Sequence, residues 1–203
     1  MTSDTPGTTR PGGRTARNTA AVLEATLDEL GEHGYAGLTV ERVSARSGVH
    51  KATVYRRWGG VEGLLSAALE WSTTHPWEPE RTGALHTDLL ALNTTVLHGF
   101  TEAPEGSVSA ASVAAAFSSP RVAEALRAFM TDRHARAAVL VTEAVARGEV
   151  PDGTDPVEVV RSAVAPVYYR LFVSREPVTR EDLDLAARVA ADAAAGGSFV
   201  PRS

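Results

Sequence analysis

The chain has 203 residues, 43% of them hydrophobic, no cysteine and a formal net charge of −5. That length suits one large or two small domains with a real core. The missing cysteines exclude disulfides, thiolate metal sites and cysteine nucleophiles, and the charge excludes a generic polycation coating nucleic acid.

Residues 1–13 are rich in Thr, Gly and Pro, which predicts a disordered tail with nothing to bury. They hold no apolar h-region of a signal peptide, and no stretch approaches the roughly 18–20 apolar residues that span a bilayer, so a cytoplasmic protein without membrane contact is expected. A first helix is predicted from Arg14 to His33, with Val22, Leu23, Leu27 and Leu30 as its apolar stripe and Gly34 ending it. Thr39 suits the N-cap of a short helix over 40–47. Gly48 ends that helix, and another runs from about His50 to Trp58. Gly59 and Gly60 break the chain before a fourth helix over 61–73, and Pro76 and Pro79 mark a linker. Beyond it, helices are predicted over 81–101, 107–118, 120–147, 156–174 and 179–195. Ser119-Pro120 and Asp155-Pro156-Val157-Glu158 are N-cap signals with Pro at the first helical position. Nine helices, no sheet and no repeat give an all-α fold, with boundaries at 1–13 (tail), 14–60 (head), 61–79 (connecting helix and linker) and 80–203 (body).

The charge is unevenly distributed. Residues 1–60 hold eight basic and six acidic side chains, a net +2, which leaves 12 basic and 19 acidic groups, or −7, for the rest. A mildly basic head on an acidic body fits a head that meets a polyanion. Within the head, two short helices join through a turn at Gly48, the arrangement of a helix-turn-helix. With Val43, Val49 and Val54 packed inward, Lys51, Ala52, Thr53, Tyr55 and Arg57 remain for a major groove. Lys51 suits guanine edges or phosphate, Ala52 and the Thr53 methyl suit thymine methyls, and Tyr55 and Arg57 suit backbone oxygens. A helical hairpin with a solvated basic face has the same spacing.

In order along the chain stand His33-Gly34-Tyr35, Thr39, Ser47-Gly48-Val49-His50 and Tyr55-Arg56-Arg57-Trp58, followed by Glu62, Leu64 and Leu65. This series resembles the TetR family of transcriptional regulators over residues 14–70. Arg147-Gly148-Glu149-Val150, Asp155-Pro156 and Pro166 to Leu171 resemble the C-terminal domain of one TetR branch. The resemblance implies a three-helix DNA-binding domain with a helix-turn-helix, and a helical bundle for ligand binding and dimerisation. It also implies Arg14, Arg17, Thr39 and His50 as further DNA-facing positions. The chain departs from the pattern at Ser44 and Ser47, where alanines are usual and a hydroxyl bonding back along its helix is expected. It departs at His50, where a capping Ser is usual, and at Val61, where a phosphate-touching Lys is common.

The remaining chemistry reads as unremarkable. The six histidines show no H-x-x-x-H spacing, so no metal site and no cofactor are expected. Neither G-x-S-x-G nor a phosphate loop is present, so no enzyme is expected. Trp71, Phe100, Phe117, Phe129, His134, Tyr168 and Phe172 lie on helices that a TetR-like body converges on a cavity, which suits a small apolar or amphipathic effector. Val160, Val164, Val167, Leu185, Ala186 and Val189 on the last two helices are expected to form an isologous four-helix dimer interface. The expected function is a homodimeric repressor released from a palindromic operator on double-stranded DNA by a small molecule. The alternative, motivated by Val61, is a ligand- or partner-binding protein with weak or lost DNA binding.

Overall fold

The computed structural model describes residues 13–74, 77–102 and 105–201. Nine α-helices and one π-helical segment occur, with no strand among the described residues. They are α1 (Gly13–Gly37), α2 (Val40–Ser47), α3 (Lys51–Trp58), α4 (Val61–Thr73), α5 (Leu85–Thr101), α6 (Glu105–Ala116), α7 (Pro120–Ala146), α8 (Pro156–Tyr168) and α9 (Arg180–Ala195). The predicted tail lies outside the described residues except for Gly13, which opens α1. The helical path of α1 breaks at Gly34 (φ 66°), where the sequence predicts its end. No described helix is long and apolar enough to cross a membrane.

Two apolar cores form. The first gathers Val22 and Leu30 of α1, Val43 of α2, Val54 of α3, and Leu64 and Leu65 of α4. Ala115 of α6 and Val122 of α7 join the same cluster. The second gathers Leu89 of α5, Leu140 and Val141 of α7, Val159 and Val160 of α8, and Ala187 and Ala190 of α9. Helix α7 serves both because its 27 residues extend about 40 Å at 1.5 Å per residue. The elements that follow the Pro79 linker, α6 and the first half of α7, therefore pack back onto the head. On α9 the buried face is Ala186, Ala187, Ala190, Ala191 and Ala194, small side chains that let α5 and α8 approach closely.

Two helices differ from expectation. Helix α5 begins at Leu85 rather than Arg81, because the fully buried Asp88 carboxylate gathers the preceding loop. It accepts from the Thr82 amide (2.5 Å) and hydroxyl (2.8 Å), the Gly83 amide (3.3 Å) and Arg147 Nη2 (3.4 Å). Glu149 Oε2 accepts the first amide of α5, from Leu85, at 2.7 Å. Arg147-Gly148-Glu149 is thus a clasp that ties the end of α7 to the start of α5. The second difference is that the predicted 156–174 helix is α-helical only to Tyr168. It then widens to a π-helical segment over Tyr169–Ser174. The widening follows Pro166, which has no N–H for the ladder and whose ring crowds the carbonyl one turn earlier.

Candidate nucleic-acid interface and interior cavity

Helices α2 and α3 meet through Gly48, whose φ of 68° is the left-handed conformation the turn needs. Thr39 caps α2 by accepting the Arg42 amide at 3.2 Å. Ser44 and Ser47 do not bond back along their helix as expected. The Ser44 hydroxyl donates across the turn to the Val49 carbonyl (2.7 Å), and Ser47 Oγ accepts the Val49 amide (3.3 Å). Both hydroxyls therefore fix the turn. His50 does cap α3, with Nδ1 accepting the Ala52 amide at 3.3 Å, a role open only to an imidazole unprotonated at that nitrogen.

Val43, Val49 and Val54 are buried as predicted, and Lys51, Ala52, Tyr55 and Arg57 are exposed while Thr53 is half-buried. The Arg57 guanidinium lies 5.1 Å over the ring of buried Trp58. Arg14 and Arg17 are exposed at the start of α1, beside a groove lined by Thr15, Asn18, Thr53, Arg56 and Arg57. The start of α1 and α3 thus share one face, whereas Thr39 is a half-buried cap. Arg56, Thr15 and Asn18 were missed by sequence reasoning; Arg56 was legible as the residue one turn beyond Ala52.

Electrostatics sharpen this face. Arg46 reaches back to α1, to Glu29 (2.7 Å), Glu32 (2.6 Å) and Asp28 (3.7 Å), and Arg42 lies 3.8 Å from Glu29. Bonded to Arg46, the Glu32 carboxyl is held below its usual range. Much of the head's acid is consumed there, away from α3. Arg14, Arg17, Lys51, Arg56 and Arg57 take part in no ion pair among the described residues. At α4, Gly60 (φ 143°) supplies no side-chain cap, and Val61 packs against the first core.

Comparison with known proteins agrees. Residues 22–68 match the family described as bacterial regulatory proteins, tetR family, and residues 79–190 match the tetracyclin repressor-like C-terminal domain. An uncharacterized HTH-type regulator of Mycobacterium tuberculosis, Rv1556, is 30% identical over 161 residues, covering 79% of each chain. Another, YdeS of Bacillus subtilis, is 26% identical over 159 residues, or 78% of this chain and 80% of that one. The crystal structure of the TetR family regulator SCO0332 superposes with a TM-score of 0.68 at 30% identity, covering 87% of this chain and 97% of that one. The chain belongs to the TetR family. It is a helix-turn-helix transcriptional regulator, a DNA-binding family rather than an enzyme family.

This TetR-family regulator holds a cavity of about 350 Å³. Leu27 and Asp28 of α1, Leu69 and Ser72 of α4, and Phe100 of α5 line one part of it. Ser109 and Ser112 of α6 and Leu126, Phe129, Met130 and Arg133 of α7 complete it. Two predicted residues, Phe100 and Phe129, are in the wall. Tyr168 and Phe172 back it, edge-on to Phe100 at 5.6 and 5.0 Å, with the Tyr168 hydroxyl 3.9 Å from Met130 Sδ. Burial pushes the Tyr168 phenol up to about 12. Trp71 packs on the first core. His134 is half-buried, and burial, aided by Arg161 and opposed by Glu158, holds it below its usual pKa. Phe117 is not in the wall: it lies past the end of α6 and is 87% exposed.

Sequence reasoning missed Arg133. Its guanidinium lies 4.9 Å from the Phe129 ring and 5.4 Å from the Trp77 ring, and Nη2 donates to the Ser72 carbonyl at 3.2 Å. Nη1 is buried and has no hydrogen-bond partner, and burial lowers the pKa of the group. The signal was present in the stripe Leu126, Phe129, Met130, Arg133, helical spacing with a cation inside it. Arg136 Nη2 donates to the Thr73 carbonyl (3.0 Å), so two arginines of α7 hold the last carbonyls of α4. Arg121 Nη1 reaches the Trp58 carbonyl at the end of α3 (3.4 Å).

The expected dimer residues divide. Val160, Val164, Val167 and Ala186 are spent inside the chain, at 0 to 7% exposure, because α8 and α9 turn these faces toward the chain's own helices. Leu185 and Val189 are exposed, joined by Tyr169 and Val173. His86 ties α5 to α9 through Asp184 at 2.9 Å.

Proposed function

We propose that the protein is a homodimeric repressor, released from a palindromic operator when a small molecule enters the cavity between α4 and α7. One observation carries the reading: the cavity is walled by α1 and α4, the helices on which α2 and α3 pack. Three arginines of α7 grip the ends of α3 and α4, so a ligand that parts α7 from α4 acts on the recognition helix. A ligand binding the DNA-free arrangement more tightly shifts the population toward it.

Dimerisation is assigned to the exposed apolar side chains of the C-terminal segments, Tyr169, Val173, Leu185 and Val189, in an isologous contact. Paired protomers present two α3 helices about 34–36 Å apart, one turn of DNA. Lys51, Ala52 and Thr53 face bases, while Arg14, Arg17, Tyr55, Arg56 and Arg57 meet phosphates. The Thr39 and His50 caps hold α2 and α3 in place.

The test begins by selecting duplexes from a random pool and measuring affinity by fluorescence anisotropy. Affinity is expected to fall steeply as salt rises, through counterion release. Binding that survives replacement of Lys51, Tyr55 and Arg57 by Ala sinks the residue assignment. Failure to select any sequence returns the alternative of a ligand-binding protein with lost DNA affinity. A monomer in sedimentation at micromolar concentration removes the dimer.

A further inference from the structure

We infer that the cavity takes an apolar organic anion whose carboxylate seats on Arg133. The inference rests on the reading of the cavity as an effector site and names the chemistry of the occupant. Arginine lines this space with half its fork in use: Nη2 is on the Ser72 carbonyl, while Nη1 is buried with no acceptor. No carboxylate among the described residues lies within ion-pair distance of it, and aromatic rings of Phe129 and Trp77 flank its guanidinium. A cationic donor out of water without a partner is costly, and a carboxylate is the group that the guanidinium fork matches in both charge and geometry.

The rest of the wall is chiefly apolar, with Leu69, Phe100, Leu126 and Met130 contributing no charge. Asp28 is the wall's carboxylate. Its side chain is 57% exposed and it lies 3.7 Å from Arg46, so its charge is met by another cation. A cation is the poorer occupant for that reason, since it would compete with Arg46 at the solvent side and leave Arg133 unpartnered. The cavity volume falls within the range of small-molecule sites and suits a two-ring or medium-chain acid.

Isothermal titration calorimetry on the full chain tests this with two matched probe series. One is naphthoate, naphthalenemethanol and naphthylamine; the other is decanoate, decanol and decylamine. In the wild-type protein at least one acid is expected to bind about ten- to a hundredfold more tightly than its alcohol and amine. Arg133→Gln should reduce acid binding to the level of the alcohol, while Arg133→Lys keeps part of the preference. The wild-type selectivity stands whether or not the variants fold. Alcohols or amines that match the acids in both series overturn the anion and leave the effector cavity standing, as does acid binding unmoved by Arg133→Gln in a folded variant. Binding of no probe in either series overturns the anion site and the effector cavity together, leaving operator binding as a separate question.

Discussion

Gly63 is the point where a single methyl group reports on how the recognition helix is held. It is buried in the first turn of α4, and a Cβ built there meets the Trp58 carbonyl oxygen at 1.8 Å and its carbon at 2.8 Å, with Arg121 Nη1 at 2.9 Å. Real Cβ contacts essentially never fall below 3.0 Å, so going from 1.8 to 3.0 Å requires a retreat of about 1.2 Å. The obstacle is backbone at the end of α3, so the retreat displaces the recognition helix against α4 and strains the Arg121 hydrogen bond. Overpacking of this kind costs about 1–3 kcal/mol, offset by about 0.5–1 kcal/mol of better helix propensity. Gly63→Ala should therefore destabilise the protein by about 1–2 kcal/mol in urea denaturation at fixed protein concentration, and weaken operator binding. Gly99→Ala is the control. That Cβ meets nothing within 4 Å in the last turn of α5, so the variant should be neutral or up to about 1 kcal/mol more stable. A Gly63→Ala protein with the wild-type urea midpoint and operator affinity would refute the close approach of α4 to the end of α3.

Three further outcomes are expected. Asp88→Ala removes the acceptor of four hydrogen bonds from a fully buried site, so urea denaturation should show a loss of about 2 kcal/mol or more; an unchanged midpoint would mean that the loop before α5 is not held by this carboxylate. His50→Ala should cost about 0.5–1 kcal/mol and weaken operator binding by loss of the α3 cap, with His50→Ser restoring both; the pair is read by thermal melts and anisotropy, and equal behaviour of Ala and Ser would contradict the cap. Burial lowers the His134 pKa, so below about pH 6.5 the unfolded chain binds more protons than the native one. Stability is full above that pH and falls on acidification. His134→Leu should flatten that acid limb in urea midpoints followed against pH, and a limb of unchanged slope would assign it elsewhere.

Much of the head was legible in the sequence because its signals are local. Gly34 and Gly48 need the left-handed backbone, Thr39 needs only the amide three residues ahead, and Val43, Val49 and Val54 lie within a dozen residues of one another. The exposed face of α3 follows by elimination once those valines turn inward. The roles of Ser44, Ser47 and His50 depend on which atom lies across the turn. Local pattern gave the residues but not the bonds.

The sequence alone determined an all-α chain with a helix-turn-helix in a basic head, because helix periodicity, caps and breakers act over a few residues. Only the tertiary structure decided how the faces were spent. Val160 and Val164 have the apolar character of an interface, yet the chain's own core consumes them. Phe117 has the character of a cavity wall, yet it sits past the end of its helix in solvent. Arg133 drew no notice in the sequence and lies beside a cavity with a donor unmet. Long-range partners made these choices: a side chain's chemistry says what it can do, and which helix packs opposite it says whether that capacity is used inside the chain or left for something else.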